Sequence, residues 1–337
     1  FDPVQQNTHT LDVIGSVRVP HPKGARRIPI KRFALQLIVE VESKAILGHS
    51  VCLLGGISAQ DALETVQQAL STWAPLQVES PLISYPDGAG FPSGVLPELA
   101  GATWSTHYLD NDSAYTSELV AERIRNRLGC AVNWGPVSDW TRRFVVEGVF
   151  NVLEKAGFQR LPSTTGSHPK DPRRQNPEQK AVDLEVDYKD LIYLIDVALA
   201  TYNATPLASS GYRSPLQLLR ERTDAQRCGF LPRYLPPLPH SMPDMHIETE
   251  YRTVRGKISE GRRPYVEIDG VLHTNQMLAD CGALIGKQVI VHINSSDMRH
   301  VKAFMSDGRP LGVLTAQSGW NRIAHTRQMR KLINQLR

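Results

Sequence analysis

The chain has 337 residues, 41% of them hydrophobic and 7% aromatic, with a formal net charge of +4. This is enough to bury a sizeable core in two domains, or in one large domain with an appendage, and the mild basicity permits nucleic-acid binding without establishing it. Cys52, Cys130, Cys228 and Cys281 lie far apart with no CxxC or Cys/His cluster, which argues against structural zinc and a disulfide framework and suits a reducing cytoplasm; no apolar run approaches the ~20 residues of a membrane span.

The chain opens on Phe1, with no signal peptide, directly before a strand, and is expected to be a piece of a longer protein. Three strands are predicted first: Val4–Ile14, Phe33–Val41 and Ala45–Leu53. A basic loop, HPKGARRIPIKR (His21–Arg32), separates the first two. In SAQDALETVQQAL, Ser58 and Asp61 form a capping-box pair and Leu63, Val66 and Leu70 a buried stripe, so a helix follows. A Pro/Gly-rich loop (Pro81–Pro97) leads to a short strand, THYL, that runs into Asp110. A helix from about Ser117 to Arg127 stops at Gly129, and CAVNW is one more strand. The order βββαβαβ predicts a mixed α/β layer fold.

Another helix is predicted from about Asp139 to Glu154, with Arg143, Glu147, Asn151 and Glu154 on a polar stripe and Val146, Val149, Phe150 and Leu153 inward. After a polar connector come a helix near Tyr188–Asn203 and another started by Ser214 and Pro215. The proline-dense stretch Leu231–Asp244 is expected to be a stiff linker. Beyond it, short alternating strands with Asp269-Gly270 and Asp307-Gly308 turns predict a small antiparallel barrel, then a helical, basic tail from Gly319 to Arg337. The predicted divisions are a core over 1–225, a linker over 226–247, a barrel over 248–315 and a tail over 316–337. GALIGK (Gly282–Lys287) is one residue short of a phosphate loop and is discounted.

Asn7 in a strand, Asp110 after a strand and Glu147 on a helix are the candidates for chemistry, with 36 residues between the last two. An Asp after a strand is usually a turn former, and a Glu on a polar helix face is usually only solvated. Context changes the weighing. LQLIVEVESKAILGHSV, YLDNDSAY, VVEGVFNVLEK and YNATPLASSGYRSPLQLL, in that order, resemble the strands, second-aspartate motif, glutamate helix and closing segment of the DDE transposase/retroviral integrase superfamily, whose fold is RNase H-like. GFQRLPSTTGS and the following barrel narrow the resemblance to Mu-like transposases, the TnsB (TniA-like) subunit of Tn-seven-type transposons in particular, over about Val4 to Thr315.

That resemblance implies a catalytic and metal-binding triad at positions 7, 110 and 147. Two Mg²⁺ ions (Mn²⁺ able to substitute) would serve 3′-end cleavage of transposon DNA and strand transfer into target DNA. VQQNTHTLD puts Asn7 where the family has its first Asp, so this chain is expected to be a disabled copy, with a deliberate substitution as the expected origin. An alternative makes Asp12 the first ligand. Implied partners are duplex DNA, further copies of the chain on DNA, a TnsC-like AAA+ ATPase and a TnsA-like endonuclease, in a bacterial cytoplasm at the nucleoid. The basic clusters Lys23, Arg26, Arg27, Lys31, Arg32; Arg142, Arg143; and Lys170, Arg173, Arg174 then become phosphate contacts. The rival readings are a catalytically silent DNA-binding and assembly protein, and a simple RNase H-type nuclease.

Overall fold

The computed structural model describes residues 1–19, 24–53, 57–77, 83–136, 143–166, 171, 175–224, 231–236 and 244–335. The chain divides into two compact units, Phe1–Leu238 and Pro239–Arg337.

The first unit is built on strands β1 (Val4–Thr10), β2 (Gly15–Val19), β3 (Arg26–Ile30), β4 (Phe33–Glu40), β5 (Ile46–Leu53), β6 (Ala102–Thr103), β7 (Thr106–Tyr108), β8 (Ala131–Asn133) and β9 (Arg233–Tyr234). Its helices are α1 (Ala59–Leu70), α2 (Pro92–Val95), α3 (Glu118–Arg123), α4 (Phe144–Ala156), α5 (Pro177–Asp183), α6 (Tyr188–Ala204) and α7 (Pro215–Thr223). The main sheet runs β5-β4-β1-β7-β8. The β1–β4 and β4–β5 pairs are antiparallel; β7 lies parallel to β1, and β8 parallel to β7. Every residue of β4 is buried, as a central strand covered on both faces requires. One face carries α1. A Cβ on Gly48 would stand 2.5 Å from the Ala69 backbone nitrogen, so only glycine lets helix and strand approach this closely.

The predicted first strand, Val4–Ile14, is two strands. Leu11 makes the last bond to β4, its N–H donating to Phe33 O, and beyond it Ile14 donates to Ser163 O outside the sheet. Within the basic segment expected as a loop, Arg26–Ile30 is a strand: β3 pairs antiparallel with β2 from Gly15↔Ile30 to Val19↔Arg26. Periodicity could not reveal this, because the hairpin packs against α5 and α6 rather than joining the main sheet. The helix after Ser117 runs on as a π turn, Ile124–Leu128, ended by Gly129 at φ 59°. Of the helix predicted from Asp139, residues 139–142 lie outside the described ones. Part of the expected linker is a strand: β9 pairs with β6, and Arg233 donates to Trp104 O and Leu128 O, both at 2.7 Å. Cys52, Cys130 and Cys281 are free thiols, and Cys228 lies outside the described residues.

The second unit holds β10 (Glu248–Thr253), β11 (Arg255–Lys257), β12 (Arg262–Ile268), β13 (Val271–Thr274), the short helix α8 (Gln276–Ala279), β14 (Gln288–Ile293), β15 (His300–Met305), β16 (Pro310–Ala316) and helix α9 (Arg327–Gln335). Its seven-stranded sheet, ordered β10-β14-β15-β16-β13-β12-β11, is a curled antiparallel half-barrel around Val266, Ile268, Val289, Val291, Ile293, Val301 and Leu314. Asp269 and Gly270 both take positive φ, 46° and 74°, in the two-residue β12–β13 turn.

Two arginines hold α9 to this sheet. Arg327 pairs with Asp269 at 2.7 Å and with Glu250 at 2.9 Å, and also contacts Glu248. Arg330 is fully buried and donates to Met298 O at 2.6 Å and to His325 Nε2 at 3.0 Å. His273 Nε2 lies 3.4 Å from Arg330 Nη1. Both imidazoles can accept from the guanidinium only while neutral, with the proton on Nδ1 facing the carbonyls of Val271 and Ile323. Burial first, and Arg330 second, push His273 down to about 4 from an ordinary 6.5. A depressed histidine costs stability as pH falls from the unfolded value through the folded one, because the unfolded chain takes the proton first. The second unit should therefore lose about 1–3 kcal/mol between pH 6.5 and 4. Amide protection factors of β13 and α9 in the full chain check this. The His273→Asn variant should show a flatter dependence, and equal pH dependence in parent and variant would refute the assignment.

Candidate active site

Strand alternation sorts the side chains of β1 between two faces. Gln6 turns toward α1, its Nε2 donating to Ala62 O at 2.9 Å. Gln5 and His9 turn toward α4. Gln5 Oε1 accepts the Val146 N–H at 3.1 Å, and the His9 ring stacks on Phe150 with centroids 5.1 Å apart. Asn7 lies between them on the same face, 8% exposed, and is thereby set against the stretch of α4 that carries Glu147. The parallel register Gln5↔Tyr108, carried two residues on, brings Asp110 level with Asn7 on the neighbouring chain segment. Asn7 thus faces α4 from β1, and Asp110 and Glu147 meet through a shared arginine.

The electrostatics of the site centre on Arg143. Its Nη1 lies 3.0 Å from Asp110 Oδ1, and its Nε 3.9 Å from Glu147 Oε1. Arg143 is the N-cap residue of α4 and makes no side-chain cap. A cation there opposes the helix dipole, so the nearby carboxylates, not the helix, account for its position. Its buried Nε–H has no hydrogen-bond partner. Partial burial raises the pKa of Glu147; Arg143 opposes that shift and Asp110 reinforces it. Asp110 Oδ1 also accepts the Asn111 N–H at 2.6 Å, and Asn7 Oδ1 accepts the Thr8 N–H at 2.8 Å.

A pair of divalent cations needs anionic oxygen donors around each. Here two carboxylates face a guanidinium, and the third position offers a neutral amide whose oxygen serves its own backbone. Among the described residues no group of three or more His, Cys, Asp or Glu is set to hold a metal. As arranged, these residues do not fit a two-cation site.

Asp12 lies past the end of β1 and serves a different purpose. Its Oδ2 accepts from Gln159 Nε2 at 3.0 Å and its Oδ1 from Thr165 Oγ1 at 3.3 Å, while its N–H donates to Glu154 Oε1 at 3.1 Å. It ties the segment after α4 to the end of β1. Glu154, expected on a solvated stripe, is 5% exposed and lies 3.3 Å from His9 Nε2. Phe144 and Val152 are the exposed apolar residues of α4.

The basic residues expected to meet phosphate divide. Arg27 is turned inward to Asp187 and Glu185, each at 3.2 Å, and fastens the β2–β3 hairpin. Lys31 pairs with Glu178 at 3.0 Å. Arg143 is committed to Asp110. Arg26 and Arg32 are exposed, with no ion pair among the described residues. Lys23, Arg142, Lys170, Arg173 and Arg174 lie outside the described residues. Sequence reasoning missed Gln5, because β1, VQQNTHT, is polar at every residue but Val4 and nothing singles Gln5 out. It assigned Arg143 to DNA because an i,i+4 Arg–Glu pair on a helix does not reveal the third partner, Asp110.

No family model and no curated protein matches the sequence. Among solved structures the chain is similar to a simian T-cell lymphotropic virus intasome in complex with the PP2A regulatory subunit B56 gamma (TM-score 0.35, 12% identity, 93% of this chain and 75% of that chain). It is also similar to the catalytic core domain of BIV integrase (TM-score 0.30, 14% identity, 64% of this chain and 99% of that chain). Both superpositions are loose.

Asp12→Ala should cost about 1–3 kcal/mol of stability through the donors it strands, measured as a lowered denaturation midpoint in the full chain. Unchanged stability would refute the anchoring role and return Asp12 to candidacy as a ligand.

Proposed function

We propose that this chain is a polynucleotidyl-transferase subunit of the transposase/integrase kind, in a form disabled at residue 7. The observation that carries the reading is the meeting of Asp110 and Glu147 at Arg143, with Asn7 on the β1 face that α4 covers, in a sheet ordered β5-β4-β1-β7-β8. That order, with β7 and β8 parallel to β1 and β4 antiparallel to both β1 and β5, supports the reading of the first unit as an RNase H-like core. The three positions are those to which the DDE resemblance assigns its carboxylates. The finer reading, a Mu/TnsB-type transposase of a Tn-seven-like element, rests on the order of the motifs and on an antiparallel unit following the core. Duplex DNA, further copies of the chain, a TnsC-like ATPase and a TnsA-like endonuclease belong to that finer proposal.

The reaction so proposed is two in-line displacements at phosphorus, first by water and then by the freed 3′-OH on target DNA, with Mg²⁺ as the expected cation. What this chain's own residues contribute is position: β1, β7 and α4 hold the three side chains on rigid elements. Asn7 is nearly isosteric with Asp, so the fold survives while the charge is lost. The pairing of Asp110 and Glu147 with one arginine favours, for the chain as it stands, the second reading of a catalytically silent DNA-binding and assembly subunit.

Asn7→Asp should produce Mg²⁺-dependent nicking or strand transfer on DNA that the parent lacks, and Asp110→Asn or Glu147→Gln in that background should abolish it. A chain that stays inert with Asp at residue 7 while binding DNA supports the silent reading. Phosphate contact is now expected from Arg26 and Arg32, not Arg27. Arg26→Ala with Arg32→Ala should weaken binding to all duplex sequences alike and lower the salt slope by about 0.9 for each phosphate no longer neutralised. An unchanged slope would exclude them from the DNA path.

A further inference from the structure

Alternation along β10 sorts its side chains by charge as well as by face. Glu248 and Glu250 turn inward, where Arg327 meets both, and Thr249, Tyr251 and Thr253 turn outward. Cross-strand partners share a face, so the register carries that outer face over three more strands. Tyr251 stands beside Ile290, Ile290 beside Phe304, and Phe304 beside Pro310. In the next row His292 stands beside Lys302. None of the outward residues on β10, β14, β15 and β16 is a carboxylate. The inner face of the same strands is closed by Val289, Val291 and Val301. Tyr251 is 67% exposed, Lys302 is exposed, and the His292 ring packs on Phe304 with centroids 4.7 Å apart.

Charge decides between occupants. A face with a lysine, histidines and no carboxylate repels a basic partner. Set against a second copy of itself about a two-fold axis, it would bring like charge to like charge. Flat rings flanked by a cation fit bases joined by phosphate. Duplex DNA keeps the faces of its bases in its own stack and offers this surface little but phosphate, whereas unpaired nucleotides offer both. We propose that the outer face of β10, β14 and β15 is a binding site for unpaired nucleotides, with Tyr251 and Phe304 stacking on bases and Lys302 meeting phosphate. The site lies wholly within the second unit and needs none of residues 7, 110 and 147, so it goes beyond the activity proposed above.

The test is fluorescence anisotropy of the full chain with a labelled oligothymidylate and with a duplex of the same length. The parent should bind the oligothymidylate. Tyr251→Ala and Phe304→Ala should each weaken that binding about tenfold and leave duplex binding unchanged. Tyr251→Phe keeps the ring and should bind as the parent does, while Tyr251→Leu keeps apolar bulk without a ring and should behave as Tyr251→Ala does. Lys302→Ala should lower the salt slope on the single strand by about 0.7. A parent that does not bind the oligothymidylate, a Tyr251→Leu variant equal to the parent, or an equal loss on duplex each overturns the site. So does a parent that self-associates without nucleic acid and comes apart as Tyr251→Ala, which would make this face a contact between copies. Should Phe304→Ala fail to fold, the unmodified chain still decides: photocrosslinking to an iodouracil-substituted oligothymidylate should label the peptides of β10 and β15, and labels found only elsewhere refute the proposal. Nicking by Asn7→Asp, or its absence, leaves these outcomes untouched.

Discussion

The hydrogen bond from the Val146 N–H to Gln5 Oε1, at 3.1 Å, is the constraint on which the site depends. A helix leaves its first N–H groups without intrahelical partners, and α4 has no side-chain cap from its own N-cap residue. A buried donor left unmade there would cost about 1–3 kcal/mol. Gln5 supplies the acceptor from the neighbouring strand, so the same bond that completes the helix fixes its rotation and height over β1. Glu147 follows Val146 on α4, and Asn7 lies two residues along β1 from Gln5, on the same face of the strand. The stacking of His9 on Phe150 repeats the attachment one turn later.

The opposite face of the sheet is pinned by a polar network of its own. Gln36 Oε1 accepts from Tyr115 at 3.2 Å and from Thr65 at 3.4 Å, and the Tyr115 hydroxyl also meets Thr8. Burial pushes the Tyr115 hydroxyl well above its ordinary range, so it stays protonated and keeps donating. Networks of this kind are costly when half satisfied and rigidifying when complete. Tyr115 follows Asp110 closely in the chain, so its contacts to β1 and β4 hold the loop that carries the second carboxylate. Both faces of β1 therefore contribute to the placement of one cluster.

Much of this was legible in the sequence where local chemistry decides. Ser58 with Asp61 forms the capping box that starts α1, Ser214 and Pro215 start α7, and Asp269-Gly270 makes the hairpin turn. The region β4, β5 and α1, with the carboxylates at 110 and 147, followed from hydrophobic pattern and motif order. What stayed hidden depends on tertiary partners. Arg27 is an ordinary basic residue until Glu185 and Asp187, more than a hundred and fifty positions away, turn it inward. Glu154 sits on a helical stripe with polar neighbours, yet His9 and the Asp12 N–H bring it into the interior. No periodicity encodes such long-range satisfaction of buried charge.

Residue 7 and Arg143 act on the same quantity, the charge of the cluster. With Asn7, two carboxylates are met by one guanidinium, and a single unit of negative charge remains when both are ionised. Partial burial of Glu147 already works against that ionisation. An aspartate at residue 7 would add a third carboxylate to the same end of the sheet. One guanidinium, reaching Asp110 and Glu147 from the start of α4, would then leave two negative charges uncompensated. Close like charges in a partly desolvated site repel by several kcal/mol at an effective dielectric near 20, and divalent cations are the ligands whose charge relieves that repulsion. The amide at residue 7 therefore does more than remove one donor: it lowers the anionic charge of the cluster to a level at which the arginine leaves little for a divalent cation to neutralise.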